Sequence, residues 1–154
     1  HSFEWSNTEE YNLMQDPAAS KFLLDCGVAL TLFPCMGVTN TLATSVPEIQ
    51  HYLAGTSRIG SYLADLAPKF PWIGFASRKV IWDIANVGLL IDPSWFNSEI
   101  VSSPKLNRNL TWSFDLNRHH IRVIKFIQRD YLFKDMFRRL IDADKKSIFK
   151  SKIE

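Results

Sequence analysis

A chain of 154 residues, 46% hydrophobic and 22% charged, holds enough apolar material for one core and no like-charged or low-complexity run, so disorder is excluded and a single globular domain is expected. No apolar stretch reaches the ~18 residues a membrane-spanning helix needs, and the first residues lack the basic start and apolar run of a signal peptide. The net charge of +2 conceals an asymmetry: residues 1–104 carry 5 basic and 10 acidic side chains, and residues 105–154 carry 13 and 6. The acidic portion suits a cation better than a phosphate, and the Lys and Arg of the basic portion alternate with apolar residues as on a solvated helix face, not as in a nucleic-acid footprint.

Along the chain, Asp16-Pro17 offers a capping acceptor followed by a pre-set first turn, which predicts a helix over 16–25. "VALTLF" (28–33) is rich in β-formers and predicts a strand, broken by Pro34 and Gly37. Ser45-Val46-Pro47-Glu48 is a capping box with Pro inside the first turn, opening a helix that runs to Ala54 and stops at Gly55. Ile59, Tyr62, Leu63 and Leu66 mark the apolar face of a second helix that ends before Pro68.

"RKVIWDIANVGLLIDP" (78–93) is apolar nearly all round and predicts a mostly buried helix ending at Asp92-Pro93. Leu110, Trp112, Phe114 and Leu116 then alternate with polar residues, a half-buried strand, with "IRVIKFI" (121–127) as its hairpin partner. A closing helix carries Phe133, Met136, Phe137, Leu140 and Ile141 on one stripe, and the Lys-rich tail after Asp144 is expected to fray. Cys26 and Cys35 flank the predicted strand; extended chain would hold them too far apart for a disulfide, and buried thiols are expected. Only one convincing central-sheet strand is legible, and the chain opens on His1 instead of Met. Both point to a piece of a longer protein whose N-terminal half lies elsewhere.

One stretch has no role in starting a helix. In "EEYNLMQDPAAS" (9–20), Glu10, Tyr11 and Asn12 stand just upstream of Asp16-Pro17. With those two they resemble the ribose-binding stretch of the inosine-uridine preferring nucleoside hydrolase family, whose usual form is Glu-Phe-Asn, three variable residues, then Asp-Pro-Glu-Ala-Ala. "IWDIANVGLLIDPSWF" (81–96) resembles that family's His-Asp-Pro helix, and "LTLFPCMGVTNTL" (30–42) resembles the strand and turn between the two blocks. The resemblance covers most of residues 5–96; the hairpin and last helix carry no diagnostic motif.

What the resemblance implies is an α/β fold, the C-terminal portion of a nucleoside hydrolase-like (Rossmann-like) open sheet with helices, plus a β-hairpin and closing helix. Residues 1–144 would belong to that domain and 145–154 would be a basic tail. The family hydrolyses the N-glycosidic bond of ribonucleosides with bound calcium (Ca2+), through an aspartate cluster near its N-terminus that this chain lacks, so no catalytic residue is assigned here. In that alignment Asp83 is the calcium-ligand aspartate, and its rival reading is a helix N-terminal carboxylate favoured by the macrodipole. Glu10 and Asn12 would hydrogen-bond ribose hydroxyls, as a carboxylate and an amide can; the rival is a solvated loop. Asn7 would reach the sugar as well, and Tyr11 would pack.

Trp82 departs from the family pattern, which has a His there acting as general acid. An indole cannot donate that proton at neutral pH but can stack on a purine; its rival reading is a core residue. His51, His119 and His120 read as surface or hairpin residues without a catalytic role. Three functions follow as expectations: a calcium-dependent nucleoside hydrolase completed by its missing half, a non-catalytic nucleoside or sugar binder, and an interaction module with a basic face. A ribonucleoside partner, a homo-oligomer, no nucleic acid and no membrane are expected, with cytoplasmic residence ahead of a periplasmic or secreted one.

Overall fold

The computed structural model describes residues 11–70 and 75–147, with no side chains past 145. Its first two elements are a five-residue helix α1 (Tyr11–Gln15) and α2 (Pro17–Asp25). Asp16 caps α2 as predicted, its Oδ1 accepting the Ala19 N–H at 2.9 Å. Strand β1 (Thr31–Leu32) is shorter than the predicted 28–33. Val28 is exposed, and only Leu30 to Leu32 find a partner strand.

A turn and a 3-10 segment (Thr39–Thr41) lead into β2 (Ala43–Thr44) and α3 (Val46–Leu53). Ser45 Oγ accepts the Glu48 N–H at 3.3 Å, and Gly55 takes a φ of +71° just past the helix end, where a side chain would be strained. α4 (Arg58–Leu66) starts on Ser57, whose Oγ accepts from Gly60 N at 2.9 Å and donates to Leu140 O at 2.6 Å. One hydroxyl thereby caps a helix and pins it to the C-terminal part of the chain.

The predicted single helix over 78–93 is corrected. Its start is β3 (Lys79–Val80), paired antiparallel with β2, and only Ile84–Ile91 form helix α5. Nor is α5 mostly buried: Ala85 and Gly88 face the core, while Val87, Leu90 and Ile91 are exposed. The hairpin is corrected too. β4 (Phe96–Ser102) precedes the short antiparallel pair β5 (Lys105–Leu106) and β6 (Trp112–Ser113). β7 (His120–Ile127) therefore pairs with β4, not with the 110–116 segment.

The main sheet is ordered β1-β7-β4, with β1 parallel and β4 antiparallel to β7. α6 (Arg129–Ile141) and α7 (Ala143–Ser147) close the described chain, so the tail expected to fray after Asp144 stays helical to Ser147; residues 148–154 lie outside the described residues.

The core lies between the sheet and the α3, α5 and α6 helices. Phe133 and Phe137 from the predicted stripe meet Ile124 and Ile127 of β7, Phe96 of β4, Leu53 of α3 and Ala85 of α5. Arg118 secures the other end: Nε donates to Ser103 O and Nη2 to Leu24 O, each at 2.7 Å, and Nη2 also reaches Asp25 Oδ1 at 2.6 Å. This fixes the end of α2, and so the α1–α2 segment, against the loop before β5. No disulfide joins the cysteines; contrary to expectation, Cys26 is exposed and Cys35 half-buried. Among the described residues no helix is long and apolar enough to cross a membrane.

Candidate functional site

Three segments distant in sequence meet at the carboxyl end of β1. α1 brings Tyr11 and Asn12, β1 and the loop after it bring Thr31, Phe33, Cys35, Met36 and Thr39, and the start of α5 brings Trp82, Asp83 and Asn86. They line an open pocket of about 710 Å3, within the size range of small-molecule sites. The crevice beyond the carboxyl ends of parallel strands is where open α/β sheets bind ligands, because strand-to-helix loops converge there.

The local sequence explains the walls. Pro34 ends β1, and Gly37 at φ +80° lets the chain turn tightly enough for Thr39 N to reach Pro34 O at 3.1 Å and Asn40 N to reach Cys35 O at 2.9 Å. Thr39 is 3% exposed and donates its hydroxyl to Pro34 O at 3.2 Å, so it holds the loop's shape. On α5, Gly88 allows close approach to α6: a Cβ there would lie 2.3 Å from Leu132 Cδ1 and 3.2 Å from Phe96 Cζ.

Asn12, Trp82 and Asp83, nominated from sequence, therefore share one pocket. Glu10 and Asn7 lie outside the described residues. Trp82 is 39% exposed and borders the pocket, which overturns its rival reading as a core residue. Tyr11, expected to pack, is 69% exposed and lines the pocket as well. Asp83 occupies the N-cap position of α5, but its side chain accepts no hydrogen bond from the helix, so its carboxylate is not engaged in capping. Its carbonyl accepts the Asn86 N–H at 3.2 Å.

Sequence reasoning missed Thr31, Phe33, Cys35, Met36, Thr39 and Asn86. Only Asn86 had a findable signal, its i+3 spacing from Asp83 on a helix. His51, His119 and His120 do not line the pocket; His51 and His120 are exposed, and His119 is half-buried, with Nε2 buried and unpartnered among the described residues.

The donor set is oxygen-rich, with one carboxylate, two amides and three hydroxyls. That is hard-cation chemistry in kind, but a calcium ion takes about six to eight oxygens. Among the described residues no group of three or more His, Cys, Asp or Glu could hold a metal. These residues alone do not make a calcium site.

No protein-family model matches the chain, and no curated protein does. Solved structures do. A plant nucleoside hydrolase superposes with a TM-score of 0.68 at 15% identity, covering 87% of this chain and 48% of its own. A purine-preferring ribonucleoside hydrolase from Gardnerella vaginalis gives 0.67 at 17% identity, covering 86% and 46%. The chain thus has a nucleoside hydrolase-like α/β fold and spans about half the length of these structures.

Proposed function

We propose that this chain forms one half of a ribonucleoside hydrolase, and that in the complete protein the pocket of Asn12, Trp82 and Asp83 receives the ribonucleoside whose N-glycosidic bond is broken to free base and ribose. One observation carries the reading: three side chains from two separate sequence blocks converge at the carboxyl end of β1, in a fold shared with a plant nucleoside hydrolase and a purine-preferring ribonucleoside hydrolase.

Breaking a ribosyl–base bond passes through an oxocarbenium-like sugar, so the site must orient the ribose hydroxyls, supply a nucleophilic water and let the base depart. The Asn12 amide offers one donor pair and one acceptor, the set a diol needs, and Glu10 would add a carboxylate beside it. The half-exposed Trp82 ring presents a π-face for the leaving purine; an indole N–H is no acid at neutral pH, so Trp82 holds the base without protonating it. Asp83 would lend one oxygen to a calcium ion whose other ligands come from outside the described residues. Such an ion, when bound, acidifies water and grips a diol.

The test is release of free base and ribose from a purine ribonucleoside by the complete protein, with calcium present or chelated. Calcium-dependent turnover that Asp83→Asn depresses is the expected result. A second reading, a nucleoside binder without turnover, is favoured by Trp82 standing where the resemblance places an acid. Steady ribose release would dispose of it, whereas saturable binding with no release would establish it.

A further inference from the structure

α3 and α6 border a second cleft, of about 460 Å3, that shares no lining residue with the pocket at β1. Phe133, Phe137 and Ile141 follow one another at helical i+4 spacing along its α6 side, and Tyr52 lines it from α3. The Tyr52 and Phe137 rings lie 5.1 Å apart at 31°, and Phe137 meets Phe133 at 5.8 Å and 64°. The two phenylalanines are buried, whereas Tyr52 is 47% exposed. The cleft therefore offers one wet aromatic ring backed by a packed aromatic stack. Asp130, Lys134 and Arg138 make a parallel row on α6, again four residues apart. Arg129 satisfies the acidic end of the cleft, pairing with Glu48 and Asp130 at 3.0 Å each. Lys134 and Arg138 are exposed, and among the described residues their side chains have no hydrogen-bond or ion-pair partner. Like charges one turn apart destabilise the helix that carries them. The ionised groups lining the cleft, two carboxylates and three cations, leave one positive charge uncompensated.

We infer that this cleft binds a small organic monoanion made of an aromatic ring and a carboxylate, with the ring against Tyr52 and the carboxylate between Lys134 and Arg138. Each part of that ligand answers one feature of the cleft. The Arg138 guanidinium presents a planar fork that matches the two oxygens of a carboxylate, and the Lys134 ammonium adds a point charge beside it. A ring laid on Tyr52 gains an aromatic pair and covers apolar surface now open to water. A dianion such as an aryl phosphate would exceed the single uncompensated charge and meet Asp130 at the end of the row. Residues 148–154 of the same chain, with two lysines against one glutamate, would bring like charge to Lys134 and Arg138. The inference is independent of the hydrolase reading.

The test is fluorine NMR line broadening of para-fluorophenylpropionate, titrated with the protein expressed from its whole reading frame. The uncharged para-fluorophenylpropanol and the ringless propionate are the comparison compounds. Expected is saturable broadening of the aryl carboxylate, with the alcohol bound ~10-fold or more weakly because it lacks the charge-assisted hydrogen bonds. The Lys134→Ala/Arg138→Ala double variant should lose affinity by a similar factor and melt like the parent, since both side chains are exposed. Propionate should displace the probe poorly. Absence of saturable broadening, or equal broadening of the alcohol, would overturn the proposal, and neither result depends on a variant. Undiminished binding by the double variant would overturn it too, by moving the anion to another place. Displacement by propionate as effective as by the aryl acid would remove the role given to the ring and with it the assigned ligand class.

Discussion

Arg129 holds both carboxylate oxygens of Glu48 from one terminal nitrogen, at 3.0 Å each, while its Nε and Nη2 donate to Ala43 O at 3.0 and 2.8 Å. The guanidinium also lies 4.0 Å from the centre of the Phe133 ring. Ala43 opens β2, which follows the loop carrying Thr39. A single side chain of α6 thus ties α3 and the strand after the pocket loop to the core.

Arg129→Ala is expected to lower stability by about 2–3 kcal/mol, because the buried Ala43 carbonyl loses its side-chain donor and the half-buried Glu48 carboxylate keeps only the Thr44 hydroxyl as a side-chain donor. Arg129→Lys should recover only part of that, since an ammonium cannot fork between a carbonyl and a carboxylate. Urea denaturation of the three proteins measures both losses.

Gly88→Ala sets two effects against each other. Alanine favours a helix interior by about 1 kcal/mol over glycine. The added methyl, however, would stand 2.3 Å from Leu132 Cδ1, in a side chain only 3% exposed, and overpacking costs about 1–3 kcal/mol. The collision outweighs the gain, with an expected net loss of up to about 2 kcal/mol in thermal or chemical unfolding.

Asp25 accepts hydrogen bonds from Lys21 at 2.5 Å and Arg118 at 2.6 Å, and these hold its carboxyl below the usual carboxylate range. A depressed folded-state pKa gives stability that is present above the unfolded value of 3.8 and is lost as pH falls through the lower folded value. Unfolding free energy should therefore drop with acid below that point, and Asp25→Asn should flatten the drop while reducing stability near neutral pH. An unchanged acid slope in the variant would show that other carboxylates carry it.

Trp82→Ala is expected to weaken purine ribonucleoside binding by about 1–3 kcal/mol, the worth of one stacked base, and Trp82→Phe to restore much of it. The melting temperature should hardly move, because the ring sits at the pocket edge instead of in the core. Titration calorimetry and a thermal melt on the same samples separate the two effects.

The legible parts of this fold were those set by local chemistry. Asp16, Ser45 and Gly55 acted as their side chains and backbones demand, and the Phe133–Phe137 stripe faced the core because helical spacing forces it. β4 was invisible since Asn97, Ser98 and Glu99 are exposed and give no apolar alternation; its place is set by pairing with β7. The 78–93 segment misled for the opposite reason. Its hydrophobicity is real, but hydrophobicity reports what a surface favours, not what covers it within these residues. For the pocket, composition gave nothing, and spacing pointed only to Asn86, three residues after Asp83. Asn12, Trp82 and Asp83 were nominated by resemblance to a family's motifs, while Tyr11 joined them only through the tertiary path of the chain.

The most direct test of the shared pocket is calorimetric titration of a purine ribonucleoside, with calcium, into the complete protein and its Asn12→Ala and Asp83→Asn variants. Saturable binding is expected, weakened by ~10-fold or more in each variant while both melt like the parent, as lost hydrogen bonds at a polar site require. Equal affinity in all three would mean that these side chains border an empty groove and that the nucleoside, if bound, sits elsewhere.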